Sequence, residues 1–270
     1  MIDDAQLPEV GPWAEDKHAR VRKYVELAAK AVGKNFVGKG KAGFYCIDPF
    51  CGSGRARVRD TAQQIDGSAL VAAAAARSAG APFTCLYIGD KEQFFVEDCA
   101  ARLRERGETV HTYVGPAMTT SADMARDLPR YGLHFAFLDP YDLNSLPFDV
   151  IKHLAAFERM DILVHFSSMD LQRNFDRFLS NDSSPLDTFA PGWRAKAKLT
   201  MPKEEQRRRV REHWQSLMDE IGMPTAGGIE HIQGSKNQTL YWLIFAAKHK
   251  LARKFWDAIL AASKPQRDLF

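Results

Sequence analysis

Apolar positions along this chain recur in two rhythms. Over residues 15–32 they fall at helical spacing, at Val21, Tyr24, Val25, Leu27, Ala28, Ala31 and Val32, which predicts an amphipathic helix. Short apolar runs of strand type then follow at 44–48, 84–89, 110–114, 134–138 and 161–166. Between them the pattern predicts helices at 69–79, 93–106, within 120–129 and at 148–157. Gly107 stops the second of these, and Ser68 is placed to cap the first. Glycines 33, 38, 40 and 43 mark a loop before the first run, and residues 55–66 read as polar and irregular.

Strands that alternate with helices imply a largely parallel sheet covered on both faces. The rhythm breaks at 180–203, where Asn-Asp-Ser-Ser-Pro, Pro-Gly-Trp and Met-Pro read as an insertion or recognition loop, and resumes as a long helix over 203–221. Two more strand candidates, 228–232 and 239–246, are separated only by a short Gly-Ser-Lys-Asn turn, which predicts an antiparallel hairpin; a helix over 251–262 ends the pattern. The expected fold is α/β: a Rossmann-like, doubly wound, mostly parallel sheet of the class I S-adenosylmethionine-dependent methyltransferase type with a C-terminal antiparallel hairpin. One domain over 1–270, with 180–221 as an inserted basic loop and helix, fits the 270-residue length.

Composition narrows the class. Apolar residues make up 45% and charged residues 26%, as in ordinary globular proteins. No apolar stretch approaches the ~20 residues that span a bilayer, and the acidic start has no signal-peptide core, so a cytoplasmic protein is expected. Four cysteines at 46, 51, 85 and 99 have neither metal-ligand nor disulfide-framework spacing; 46, 85 and 99 read as small core hydrophobes, and no metal site is expected. The net charge of +3 is uninformative, but residues 194–211 hold eight Lys/Arg against two Glu. Arg194, Lys196 and Lys198, with Arg55 and Arg57 in a second basic cluster, are candidate phosphate contacts; a solvated helix face is the alternative for the long stretch.

Candidate chemistry lies where strands end. Asp48-Pro-Phe-Cys-Gly-Ser-Gly54 closes the first apolar run, at the carboxyl edge where doubly wound folds bind ligands. Gly52 and Gly54 permit a tight turn and close approach of backbone to ligand. No third glycine completes a dinucleotide loop, and D-x-F-x-G-x-G suits S-adenosylmethionine, with Asp48, Phe50, Gly52, Ser53 and Gly54 as its cradle. Asp90, ending the second strand, can accept ribose hydroxyls, with Glu92 as alternate. It follows Asp48 by 42 residues where ~20 is usual, so 55–67 would be an insertion. Gly115-Pro116-Ala117 can lie along an adenine. Asp139-Pro140-Tyr141 resembles the D-P-P-Y motif of base amino-methyltransferases, one proline short. There an Asp and a carbonyl accept the amine hydrogens while a tyrosine stacks on the base. His165 reads as a core histidine without a partner, Trp193 and Trp214 as core, Glu97 and Asp98 as exposed helix residues. Asp90-Lys91-Glu92 also loosely matches an acidic nuclease site.

Asp48 to Arg55, Asp66-Gly-Ser68 before an alanine-rich helix, Phe137-Leu-Asp-Pro-Tyr141 and Leu240 to His249 together resemble the three-Cys-motif partner proteins. The resemblance runs from around Lys17–Tyr24 to the last strand and accommodates the stretch between Arg55 and Gly67. It implies a methyltransferase-like fold and a separate partner that looks like a radical S-adenosylmethionine enzyme and carries the three cysteines. Cys51 departs from the small alanine common in such loops. Two functions follow as expectations: methyl transfer to an exocyclic amine of a DNA or RNA base, or a non-catalytic, S-adenosylmethionine-binding partner that supplies target binding.

Overall fold

The computed structural model describes residues 7–35, 43–198, 200–234 and 238–263. Of the glycines expected to form a loop, Gly33 instead lies within the helix Trp13–Asn35, while 38 and 40, with most of the turn at 234–237, lie outside the described residues. A seven-stranded sheet forms the centre. Its parallel strands are β2 (Phe44–Asp48), β5 (Cys85–Asp90), β6 (Val110–Val114), β7 (Leu133–Leu138) and β8 (Met160–Phe166); β10 (Thr239–Ala247) runs antiparallel to β8 and to β9 (Glu230–Gln233). The order β6-β5-β2-β7-β8-β10-β9 is that of the class I methyltransferase sheet, with the expected antiparallel hairpin at one edge. The order reverses at β2, whose carboxyl end is the switch point where such sheets bind ligands.

Side-chain alternation divides the core. Cys46, Leu86, Ile88, Phe135, Phe137, Leu163, Leu243 and Phe245 point to one face, covered by α1 (Trp13–Asn35), α2 (Ser68–Ser78), α3 (Gln93–Glu105) and α9 (Lys250–Ser263). Ile47, Tyr87, Leu138, Ile162, Val164 and Ile244 point to the other, under α4 (Ala117–Asp127), α5 (Phe148–Ala155), α6 (Ser168–Ser180), α7 (Pro185–Phe189) and α8 (Lys203–Glu220). Trp193 and Trp214 are fully buried in this second core, as the sequence suggests, and all four cysteines are free and buried. Among the described residues no helix is long and apolar enough to cross a membrane.

Several expectations need correction. Residues 55–66 are not irregular: β3 (Arg55–Val58) and β4 (Gln64–Asp66) form an antiparallel hairpin, joined in parallel by β1 (Glu9–Val10) into a second small sheet. This insertion separates Asp48 from Asp90 by the observed extra length. Ser68 does not cap α2; Gly67 holds the cap position, and the Ser68 hydroxyl donates to Asp48 instead. The break at 180–203 contains α7 and a 3₁₀ turn at Trp193–Ala195, and α6 before it is a 13-residue helix.

α1 crosses the first face and is fastened by polar bonds as well as by apolar packing. Tyr24 donates to Asp161 (2.6 Å), Arg20 bonds Glu230 of β9 through Nε (2.9 Å) and Nη2, and Tyr241 donates to the Trp13 carbonyl (2.9 Å). Burial pushes Asp161 up to about 7, and its bond from Tyr24 only partly opposes this. The unfolded carboxyl titrates near ~3.9, so the folded state holds this proton more tightly. The stabilisation is complete below that pH and is lost as pH rises through 7. Asp161→Asn keeps the acceptor for Tyr24 but has no proton to lose. Its urea stability relative to wild type is expected to improve by a few kcal/mol between pH 4 and 8; a pH-independent difference would contradict this assignment.

Candidate functional site

The loop after β2 is built around buried acceptors. Asp48, on the first face, is fully buried; one oxygen accepts from the Phe50 amide (3.0 Å) and the other from Ser68 (2.5 Å). Burial dominates, and despite these bonds the carboxyl titrates at about 7. Asp48 therefore shapes the loop from beneath. The next turn is tied to β5: the Cys51 amide donates to the Gly89 carbonyl (2.9 Å) and the Gly52 amide to Asp90 Oδ2 (3.2 Å). Asp90 Oδ1 accepts from the Glu92 amide (3.1 Å), and burial raises this carboxyl as well.

The glycines divide the work. Gly54 (φ +75°) is enclosed: a Cβ there would lie 2.6 Å from Leu70 Cδ1 and 3.2 Å from Cys99 Cα. Gly67 is enclosed too, a Cβ standing 3.1 Å from the Gly54 carbonyl carbon, and the Gly67 amide donates to the Gly54 carbonyl oxygen (2.7 Å). Gly52 (φ +54°) differs, since a Cβ there would meet nothing within 4 Å. Its outer side is open space at the switch point. Ser53 is buried, with its hydroxyl donating to the Arg55 carbonyl (2.7 Å). Its own carbonyl accepts from Arg102 Nε (3.2 Å), and Arg102 pairs with Asp98 (3.5 Å). Asp98 is thus not an exposed helix residue: it is buried, and it anchors the arginine that holds the loop. Glu97 is exposed, as expected.

Around this loop the carboxyl ends of neighbouring strands present apolar groups to solvent. Phe94 follows β5, Val114 ends β6, Met118 lies in the first turn of α4, and Tyr141 follows β7; all four are exposed, Tyr141 at 96%. Ala117 is buried as the first residue of α4, and Pro140 is buried beside Tyr141.

Asp139 ends in a cluster that the sequence does not disclose. One oxygen takes an ion pair from Lys17 of α1 and the other a 2.6 Å bond from His165 Nδ1. The three side chains are only 12%, 18% and 15% exposed for Lys17, Asp139 and His165. Lys17 lies 5.9 Å from the Phe137 ring centroid and 6.0 Å from that of Tyr241, whose ring stands edge-on to His165 at 4.1 Å. Burial disfavours the Asp139 anion, yet Lys17 and His165 outweigh it and hold the carboxyl well below its usual range. Burial also lowers His165, with Asp139 opposing, so the imidazole is neutral. A carboxylate can only accept, so Nδ1 carries the hydrogen. Nε2 is buried and has no hydrogen-bond partner. The reading of His165 as a partnerless core residue is corrected: β7 and β8 are neighbours, and residues 139 and 165 share a face at adjoining strand ends. Lys17 was missed because only the fold brings α1 over β7.

The basic stretches fare unequally. Arg55 and Arg57 are half-buried on β3 beside the loop. In the long stretch, Arg194 bonds Asp187 and the Asn181 carbonyl and lies over Trp193, because α7 brings Asp187 within reach. Lys203 pairs with Asp176, and Arg208 and Arg209 pair with Glu205 and Glu212 one helical turn away. Arg211 lies over Trp242. Lys196 and Lys198 remain exposed. Arg194, Lys203, Arg208 and Arg209 are thus each held by a carboxylate. Among the described residues no group of three or more His, Cys, Asp and Glu is placed to hold a metal ion.

No family profile matches the chain, and no curated protein does. Among solved structures, cofactor-bound Rv0187 from MTB is 15% identical over 91% of this chain and 85% of its own, with a TM-score of 0.47. LPL1258 from Legionella pneumophila is 13% identical over 90% and 91%, also at 0.47. A putative RNA methyltransferase, PH1948 from Pyrococcus horikoshii, is 11% identical over 83% and 79%, at 0.38. At these values the likeness says nothing of chemistry, and the fold assignment stands on the strand order.

Proposed function

We propose that this chain binds S-adenosylmethionine at the loop after β2 and transfers its methyl group to a nucleic acid. The observation that carries the reading is the open space over Gly52, at positive φ, at the switch point of a methyltransferase-type sheet. The residues present fit the molecule. The 49–54 loop leaves room for the amino-acid end, Asp90 has oxygen lone pairs left for two ribose hydroxyls, and Ala117 offers a small wall to an adenine. When bound, the molecule supplies an electrophilic methyl on sulfur. Tyr141 offers a solvent-facing ring on which a base can stack, next to Asp139. Arg55 and Arg57 are placed for phosphates nearby, with Lys196 and Lys198 as outlying contacts; Arg194 would first have to leave Asp187.

The Asp139-Pro140-Tyr141 motif on its own favours a base amine as acceptor. A carboxylate already shared by Lys17 and His165 is a weaker acceptor for amine hydrogens, and this favours a second reading. In it the chain is the target-binding half of a pair and works with the radical S-adenosylmethionine-like partner that its resemblance implies. Purified protein supplied with methyl-labelled S-adenosylmethionine is expected to label RNA or DNA, and Asp139→Ala to abolish the labelling. Cofactor binding without any labelling, together with co-purification of a cysteine-rich partner, would move the conclusion to the second reading.

A further inference from the structure

Charge at the cluster discriminates between acceptor groups. A neutral amine that attacks a methyl sulfonium becomes cationic, so a site for it needs unspent negative charge or bare acceptors. Here the negative charge of Asp139 is neutralised by Lys17, and its second oxygen is taken by His165 (2.6 Å). A cation forming beside the Lys17 ammonium would be repelled. A hydroxyl has the opposite requirement: it must give up a proton as it attacks, and a neighbouring ammonium stabilises the developing oxyanion. The cluster holds both parts. His165 is fixed through Nδ1 by a carboxylate while Nε2 carries a free lone pair, the arrangement of a general base. A buried nitrogen with no partner calls for an explanation, and an entering O–H donor supplies one.

We propose that the Lys17–Asp139–His165 cluster takes a hydroxyl acceptor, the ribose 2′-hydroxyl of RNA, with His165 Nε2 as base and Lys17 as oxyanion partner. This rests on the methyltransferase reading above and replaces the base amine as the acceptor within it. The 2′-hydroxyl is the free hydroxyl that every internal nucleotide of RNA offers and that DNA lacks. Lys17, on a four-carbon stem, swings from Asp139 to the incoming oxygen, and Tyr241 and α1 keep the imidazole in place. The oxygen lone pair forms the new bond to the methyl carbon, and the carbon–sulfur bond breaks with its electrons retained on sulfur as a neutral thioether. The hydroxyl proton passes to Nε2, and the imidazolium, stabilised by Asp139, then releases it to water.

Three readouts on the intact protein test this. S-adenosylhomocysteine is titrated calorimetrically into wild type, His165→Gln and Lys17→Met; all three are expected to bind it alike. If wild type does not bind, the parent reading fails and this inference fails with it. Nitrogen NMR of the ligand-free protein at pH 7 is expected to show His165 protonated on Nδ1 and bare on Nε2. Methyl label from S-adenosylmethionine is expected in alkali-resistant dinucleotides of RNA and absent from DNA of the same sequence. His165→Gln should lower that rate by about 100-fold or more, within the range for loss of a general base. Label on a base nitrogen, labelling that survives His165→Gln, a proton on Nε2, or no RNA labelling by protein that binds S-adenosylhomocysteine would each overturn the proposal.

Discussion

Gly52→Val is expected to fold and to lose S-adenosylmethionine, whereas Gly54→Ala is expected to lose stability. The two glycines are two residues apart in one loop, and both have positive φ. At Gly52 an added Cβ meets no protein atom within 4 Å. The folding cost is then the backbone strain, about 1–2 kcal/mol. The isopropyl group enters the space assigned to the ligand, and a clash of about 1–3 kcal/mol weakens binding roughly 10- to 100-fold. At Gly54 the new Cβ is driven into Leu70 Cδ1 at 2.6 Å and the Cys99 backbone at 3.2 Å. Leu70 can rotate, but the backbone of α3 cannot yield without disturbing the core. Strain and overpacking together cost about 2–4 kcal/mol, or roughly 5–15 °C in Tm for a chain of this size. Calorimetric binding and thermal melts on both variants separate the cases. Equal loss of stability in the two, or full binding by Gly52→Val, would contradict the division of roles.

The second large effect concerns the buried ion pair. Asp139→Asn preserves an acceptor for His165 but leaves Lys17, only 12% exposed, without a counter-charge. Removing one member of such a pair costs about 3–5 kcal/mol, mostly the penalty of the stranded charge. The double variant Lys17→Met/Asp139→Asn removes that charge and is expected to recover most of the loss. Because the Asp139 carboxyl is held below its usual range, the pair's stabilisation is present above pH ~4 and disappears as pH falls through the folded value. Urea denaturation of wild type, both single variants and the double variant at pH 7 gives the coupling directly. Additive single effects would mean that Lys17 and Asp139 do not act as a pair.

Most of the sheet was legible because its strands are buried on both faces and stand out as apolar runs, as at Phe44–Asp48 and Leu133–Leu138. The β3–β4 hairpin was not, since Arg55, Arg57 and Gln64 carry no apolar alternation strong enough to outweigh the polar background. The helix at Ser168–Ser180 did leave a signal. Leu171, Phe175 and Phe178 are helically spaced, and the Ser167 hydroxyl accepts from the Asp170 amide (3.1 Å) as a cap. Pairing along 194–211 was not legible because folding supplies the partners: Asp187 and Asp176 come from preceding helices, and Glu205 and Glu212 from the next turns of the same one. The glycine loop was legible as a motif, yet which glycine faces open space was not. Nor was the Lys17–Asp139–His165 cluster, whose members are up to 148 positions apart in the chain and share a site only because strand order and α1 place them there.

The measurement that bears most directly on the account is a calorimetric titration of the purified protein with S-adenosylmethionine. One site per chain is expected, with a Kd in the micromolar range, about 8 kcal/mol of binding free energy. A well-folded protein that shows no heat of binding would contradict it and leave the open space over Gly52 without the ligand assigned to it.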